Sequence, residues 1–359
     1  MEKSGLKQAC CCRIHPMKAA VLHGKEDVRV EDVPERALAC GEVRVKIRAA
    51  LTCGTDLKVF KRGYHAKMIV PPAVFGHELA GEIVETGTEV AGWRVGDRVV
   101  VLNSAPCLEC DPCGRQQQGL CDDLLFLNGA YAASLVVPAR IAARNMLRLG
   151  PDTPFVAAAL CEPLACVVLG AVESGLTRGQ KVLVIGSGPI GLMFVRLASF
   201  LGCEVALIGR GESRLSAGRR LGALTVLEAG VPPDPFGDLL EEWKGGFDVV
   251  IEAVGKPEAW EAAVRFVRKG GRVNFFGGCP AGTMVRLDTG LIHYSNLTLM
   301  ASFHHTPATT RRALELIEQG VVRSEDFVDA ACDLEGLPEL FKGMATGNHA
   351  IKTLINVGE

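Results

Sequence analysis

Two textures of apolar and polar residues divide this chain. From residue 17 to about 100 apolar and polar residues alternate, as in Glu42-Val43-Arg44-Val45-Lys46-Ile47, the period of a half-buried strand. Gly63, Pro71, Pro72, Gly76, Gly81, Gly87, Gly92 and Gly96 punctuate this stretch with turns. Residues 17–22 and 133–137 read as further strands, the latter ended by Pro138. From about residue 154 the texture changes. A helix over 154–175 is followed by short apolar strands at 181–185, 204–208, 247–252 and 272–276. Helices over 189–201, 212–221 and 257–268 separate them. This alternation predicts a parallel sheet with crossover helices. A helix over 308–320 and strands near 351–356 close the chain and are expected to return to the first unit. The predicted fold class is α/β. A mostly β unit comprises 17–165 and 303–359, and a doubly wound parallel-sheet unit comprises 166–302.

Residues 1–16 show no periodicity and carry Cys10, Cys11 and Cys12 in a row. They read as a flexible N-terminal extension ahead of Met17, a natural start, with cysteines open to metal binding or acylation. The whole chain, at 359 residues, is long enough for two cores. Its 39 basic and 41 acidic residues give no electrostatic reason to expect nucleic acid or an anionic membrane as partner. The longest apolar stretch, 155–172, is interrupted by Glu162, so no membrane span is expected. Nothing at the N-terminus has the shape of a secretory signal, and a cytoplasmic location is expected. The 14 cysteines then read as metal ligands and reduced core residues rather than disulfides.

Cys107, Cys110, Cys113 and Cys121 follow the spacing C-x2-C-x2-C-x7-C. Four thiolates so close can complete a tetrahedral zinc shell with no open position, which predicts a structural zinc. Cys161, Cys166, Cys203, Cys279 and Cys332 fall in apolar segments and are expected in the core. His304 and His305 are placed in a turn after the last parallel strand, lining a cleft, a dimer surface or plain surface.

Val182-Leu183-Val184-Ile185 runs into Gly186-Ser187-Gly188-Pro189-Ile190-Gly191 and then an apolar helix. Strand, glycine-rich turn and helix in that order make a dinucleotide fingerprint. Gly186 is read as the tight turn, Gly188 as the approach to the pyrophosphate, and Gly191 as the close helix–strand contact. The N-terminus of the helix beginning at Pro189 and Ile190 offers free N–H donors to the phosphates. An NAD site usually carries an acid at the end of the second strand. Here that strand ends in Gly209-Arg210, which leaves room for a 2′-phosphate and a cation to pair with it. Arg214 is read as a second cation. NADP(H) is therefore expected in preference to NAD(H), with Glu212 as the competing ribose acid and plain surface charge as the alternative for both arginines.

Cys53-Gly54-Thr55-Asp56, Gly76-His77-Glu78 and Cys161-Glu162-Pro163 each offer zinc-ligand chemistry but lie far apart in sequence. Taken with the cysteine run, the glycine fingerprint, Asp248-Val249-Val250-Ile251-Glu252 and the order of all these motifs, they carry a resemblance. The chain, over about 17–359, resembles the zinc-dependent medium-chain dehydrogenase/reductase family, and its sorbitol-type and threonine dehydrogenase branches more than liver-type alcohol dehydrogenases.

The resemblance implies a GroES-like catalytic domain beside the Rossmann domain, two zinc ions per chain, and a homodimer or homotetramer. It implies that Cys53 and His77 are catalytic zinc ligands. Glu78 and Glu162 are both carried as the third ligand, Glu162 ahead of Glu78. Asp56 is the expected partner of the other His77 ring nitrogen. Zinc would act as a Lewis acid on a substrate hydroxyl, with hydride passing to the nicotinamide. Thr55 stands at the family's hydroxyl relay. Lys58 replaces the histidine that often ends that relay, and is read as a depressed base, a phosphate or substrate contact, or a bystander to a relay ending on water. The expected substrate is a secondary alcohol or its carbonyl partner, of polyol, cyclitol or sugar-like type. A threonine-like amino alcohol with NAD, and a non-catalytic cofactor-binding relative, are the alternatives.

Overall fold

The computed structural model describes residues 16–65, 67–230, 239, 242–347 and 350–358. The Cys10–Cys12 run lies outside them. The alternating N-terminal segment forms antiparallel strands because its apolar residues fall on one face. Val43–Leu51 pairs with Glu78–Thr86 and Ser134–Val137, and Glu78–Thr86 pairs with Arg98–Val101. Lys352–Asn356 returns from the C-terminus to lie antiparallel to Val43–Leu51 and parallel to Val328–Asp333. A smaller sheet pairs Pro16–Gly24 with Asp27–Pro34 and Ala73–Val74.

The second half builds a six-stranded parallel sheet. Its spatial order is Thr225–Glu228, Glu204–Gly209, Lys181–Ile185, Phe247–Glu252, Val267–Phe275 and Thr298–Met300. The order reverses between Lys181–Ile185 and Phe247–Glu252, the switch point where such sheets open a crevice at their carboxyl ends. Val182, Leu183, Val184, Val249, Val250 and Ile251 are all fully buried, as strands covered on both faces must be.

Two predicted elements differ in extent. The helix over 154–175 is broken at Leu160 into Phe155–Ala159 and Cys161–Glu173. Pro163 has no N–H to continue the ladder across that point. The helix over 257–268 stops at Phe266, and strand Val267–Phe275 begins earlier than expected. Helix Cys161–Glu173 packs against Pro307–Glu318 in one core that also takes in Leu51, Ala80, Val184 and Val249. No helix among the described residues is long and apolar enough to cross a membrane.

Candidate active site

Helix Gly54–Arg62 begins at Cys53, whose sulfur accepts the N–H of Thr55 at 3.4 Å. Asp56 lies in its first turn and faces inward with Val59 and Phe60. On the next wall, Gly76 takes a φ of 86° and sits so close to the Tyr131 ring that a Cβ would be 2.7 Å from it. That turn delivers His77 and Glu78 inward together, both buried. His77 Nδ1 donates to Asp56 Oδ1 at 2.8 Å, and Tyr131 donates its hydroxyl to Asp56 Oδ2 at 2.6 Å. With Nδ1 protonated by this bond, Nε2 keeps the lone pair a metal needs.

Cys53, His77 and Glu78 each bring a ligand atom within 4.8 Å of the others. Glu162 does not complete this group; it clusters with His304 and His305 instead. In this structure the grouping therefore sets Glu78, rather than Glu162, with Cys53 and His77. Its physical basis is Lys352, which donates to Glu78 Oε1 at 2.7 Å and to the Thr52 carbonyl at 2.9 Å, pinning the Glu78 carboxylate beside His77.

Burial lowers the affinity of His77 for a proton, but the Asp56 and Cys53 charges outweigh it and hold its pKa well above the usual value. Burial raises Glu78, with Lys352 and His77 opposing. Glu162 is pushed up to about 7, chiefly by burial. Burial drives His305 well below its ordinary pKa, with His304 and His77 adding to the effect. A thiolate, an imidazole and a carboxylate, two of them fixed by hydrogen bonds from behind, fit a zinc site with an open position.

Sequence reasoning missed Lys352, Tyr131 and Asn103. Lys352 had a signal: a lone charge between Ile351 and Thr353-Leu354-Ile355 in a segment otherwise built for the core. His304 and His305 precede Thr306, the N-cap of helix Pro307–Glu318. Their backbone turns sharply, with His304 at a φ of 66°. Of the three readings open for this pair, plain surface does not hold for His305, which is buried and bonded through Nε2 to Asn103 Oδ1 at 2.9 Å. His304 Nε2 meets Ser104 Oγ at 2.6 Å.

Lys58 is exposed on the outer side of its helix, its Nζ 3.4 Å from the Gly278 carbonyl at the end of the parallel sheet. Of the cysteines expected in the core, Cys161 is buried, whereas Cys166, Cys203, Cys279 and Cys332 sit at its margin.

The four-cysteine lobe is compact. Cys110 and Cys121 sulfurs are 3.8 Å apart, and Cys121 and Cys107 sulfurs 3.5 Å. A tetrahedron with Zn–S of about 2.3 Å has edges of about 3.8 Å. The N–H groups of Glu109 and Cys110 point at Cys107 Sγ, both at 3.4 Å, and pull its pKa down to about 6. The lobe also touches the cleft. Gly119 sits against the Phe303 carbonyl, where a Cβ would be only 2.8 Å away, with the His305 carbonyl at 3.6 Å.

In the glycine-rich loop, a Cβ on Gly191 would meet the Gly186 carbonyl at 1.8 Å, so helix Pro189–Phe200 can only pack here without a side chain. On Gly188 it would meet nothing within 4 Å, which leaves that face open for a pyrophosphate. Ser187 Oγ accepts from Arg210 N and donates to Arg210 O, both at 2.9 Å. That clasp brings Gly209 so near that its Cβ would lie 2.3 Å from Ser187 Cβ. Arg214 is not beside Arg210 in function: its half-buried guanidinium donates to the Ala350 carbonyl at 2.9 Å, because helix Glu212–Leu221 turns it toward the C-terminal segment. Glu212, the competing acid, pairs with Arg219 at 3.1 Å on the helix surface.

Family models match two stretches: the alcohol dehydrogenase GroES-like domain over residues 39–146 and the zinc-binding dehydrogenase over 189–319. Sorbitol dehydrogenase of Bacillus subtilis is 29% identical over 353 residues, covering 94% of this chain and 97% of that protein. L-threonine 3-dehydrogenase of Pyrococcus furiosus is 33% identical over 320 residues, covering 87% and 89%. A structure described as a zinc-binding dehydrogenase of Sinorhizobium meliloti 1021 bound to NADP is 28% identical, with a TM-score of 0.86 and coverage of 95% and 99%. With the fold and the ligand-type residues above, the chain belongs to the zinc-dependent medium-chain dehydrogenase/reductase family of oxidoreductases. Within that family it stands with the sorbitol and threonine dehydrogenases.

Proposed function

We propose that this chain transfers hydride between a secondary alcohol of polyol, cyclitol or sugar-like type and NADP(H). Cys53, His77 and Glu78 would hold the catalytic zinc, and Cys107, Cys110, Cys113 and Cys121 a structural one. When bound, the catalytic zinc supplies Lewis acidity that makes a substrate hydroxyl easier to deprotonate. The chain's own residues do the rest. Asp56 and Tyr131 fix the ring of His77. Lys352 compensates the charge of Glu78. Thr55, two residues past Cys53, is the hydroxyl assigned to carry the substrate proton. Lys58 reaches Gly278 and ties the catalytic helix to the end of the parallel sheet. A homodimer or homotetramer and a cytoplasmic location belong to the same reading.

The observation that carries the cofactor reading is the Gly209–Arg210 strand end. Ser187 holds the Arg210 backbone against the glycine-rich loop, and the space an NAD-type acid needs is already taken by the Ser187 side chain. Arg210, the residue after Gly209, carries a guanidinium, which suits a 2′-phosphate.

The test is reduction of NADP and of NAD, followed in the near ultraviolet, with zinc-replete protein and a panel of polyols, cyclitols, threonine and simple secondary alcohols. Turnover with NADP and a polyol or cyclitol supports the proposal. Arg210→Ala should raise KM for NADP about tenfold or more and leave that for NAD nearly unchanged. Turnover with NAD alone overturns the cofactor reading, and turnover with threonine alone moves the substrate to an amino alcohol.

A further inference from the structure

One pocket shares no lining residue with either metal site or with the glycine-rich loop. Its volume is about 220 Å³, and Arg196, Arg220, Leu221, Gly320, Arg323 and Asp326 line it. Arg196 stands in the second half of helix Pro189–Phe200 and Arg220 in the last turn of helix Glu212–Leu221, two helices packed on the parallel sheet. Gly320, Arg323 and Asp326 belong to the segment that follows helix Pro307–Glu318 and leads into strand Val328–Asp333 of the other large sheet. The pocket is a seam between the surroundings of the two sheets.

Three observations mark it as a place for an anion. The first is charge. Three guanidinium groups and one carboxylate line one small space. Asp326 is committed to Arg323, accepting from its Nε at 3.0 Å and its Nη2 at 3.1 Å, and Glu325 Oε1 lies 3.6 Å from the same Nε. Arg196 and Arg220 bond to neutral oxygens instead, the Val321 carbonyl at 2.6 Å and Ser216 Oγ at 3.2 Å. Among the described residues neither has a carboxylate partner, whereas the adjacent Arg219 pairs with Glu212. An arginine in the last turn of a helix complements the helix dipole, which accounts for Arg219 and Arg220 but not for the convergence of Arg220 with Arg196 and Arg323. Like charges gathered in one concavity repel unless an anion lies between them.

The second is preparation. Arg196 is partly buried, and the Val321 carbonyl holds its Nε. Asp326 holds one edge of Arg323 and leaves Nη1 out of that pair. Guanidinium groups fixed in this way lose little freedom when an oxyanion arrives.

The third is room. Gly320 takes a φ of 70°, and a Cβ on it would meet nothing within 4 Å. Pockets for drug-sized molecules run about 300–1,000 Å³, so this smaller one suits a smaller ligand.

We propose that Arg196, Arg220 and Arg323 form a binding site for a phosphate-type dianion, separate from the sites of the cofactor's phosphates. Arginine forks match phosphate oxygens bidentately. Inorganic phosphate and a small phosphomonoester present the same oxygens to such a site. The bound anion would tie the helices on the parallel sheet to the segment 320–326.

The experiment follows melting temperature and heat of binding. Full-length protein is titrated with sodium phosphate, and sodium chloride keeps the ionic strength constant. A saturable rise in melting temperature is expected, since a ligand that binds only the folded chain stabilises it. Arg196→Gln/Arg220→Gln should weaken phosphate binding about tenfold or more, the scale of losing charge-assisted hydrogen bonds. Arg210→Ala, at the cofactor strand end, should keep the response. A response that disappears with Arg210→Ala and survives the double variant places the phosphate in the cofactor loop and overturns the proposal. A native response to phosphate no larger than that to chloride overturns it too. If the double variant does not fold, Arg220→Gln alone, at an exposed position, should weaken binding severalfold, and unchanged binding overturns the proposal. Glycerol 3-phosphate run beside phosphate separates the two sources: tighter binding of the ester supports a phosphomonoester as occupant, and tighter binding of phosphate supports the free ion. Turnover does not enter the readout, so this result stands apart from that of the dehydrogenase reading.

Discussion

The cysteine lobe and the cleft are both built from metal-ligand chemistry, yet they are assembled in opposite ways. The lobe takes four like donors from fifteen consecutive residues and holds them with its own backbone N–H groups. The cleft takes Cys53 from a helix N-cap, His77 and Glu78 from a strand entry, and the cation for Glu78 from Lys352, 274 residues further on. A local site needs little beyond its own loop. A dispersed one exists only when the large sheet has closed through strand Lys352–Asn356. Loss of a lobe ligand should therefore spare the metal content of the cleft, while damage in the cleft should register in activity, stability and metal content together.

The largest effect expected is from His77→Ala. Turnover should fall by about 10³-fold or more, the scale of losing several kcal/mol of Lewis-acid assistance. Metal analysis should show one ion lost from the cleft with the lobe still loaded. Loss of activity at unchanged metal content would break the distinction between the two sites. Next is Lys352→Met, which strands Glu78 as a buried charge and should cost about 3–5 kcal/mol in urea unfolding. Adding Glu78→Gln should return much of that stability. A cost below about 1 kcal/mol would mean that the Glu78–Lys352 pair does not hold the sheet closed.

Asp56→Asn keeps the side-chain shape but removes the carboxylate behind His77. Zinc affinity, measured by chelator competition, should drop about 10–100-fold. The smallest effect concerns pH. His305 is held neutral in the fold because burial pushes its pKa well down. The unfolded chain takes up a proton on that residue below about pH 6.5 and the folded one does not. The stability this one site contributes should therefore fall as pH drops from about 6.5, by up to about 1.4 kcal/mol per pH unit. Glu162, raised to about 7, and His77, also raised, work in the opposite direction over that range. The His305 share is therefore read as a difference: between pH 7.5 and 5 the urea midpoint of His305→Asn should fall less, or rise more, than that of the native chain. An equal slope in the variant would place the acid sensitivity elsewhere.

Legibility in the sequence follows the same divide. Strand 181–185 and the glycine loop after it could be read from neighbours alone, as could the cysteine spacing, because each is a short-range pattern. The parallel sheet followed from counting such units. That Glu78 rather than Glu162 would group with Cys53 and His77 could not be read, since nothing near either residue announces that Lys352 will reach one of them. Tyr131 and Asn103 were invisible for the same reason: an isolated tyrosine or asparagine has no periodicity, and its role here is set by which buried oxygen or nitrogen it meets. Arg214 was misplaced because four residues of separation from Arg210 say nothing of the turn into a helix between them.

Gly119 gives the two regions a mechanical relation. The lobe rests on the Phe303 carbonyl through a residue with no side chain, and the neighbouring residues of that same turn carry the stacked histidines. The lobe is thus an abutment as well as a set of thiols spaced for a metal. Swelling or contracting it, as a larger or smaller ion would, presses on the turn through a contact only one hydrogen atom deep. A change made in a region with no part in the chemistry would then be felt in the cleft as a displacement rather than as a charge.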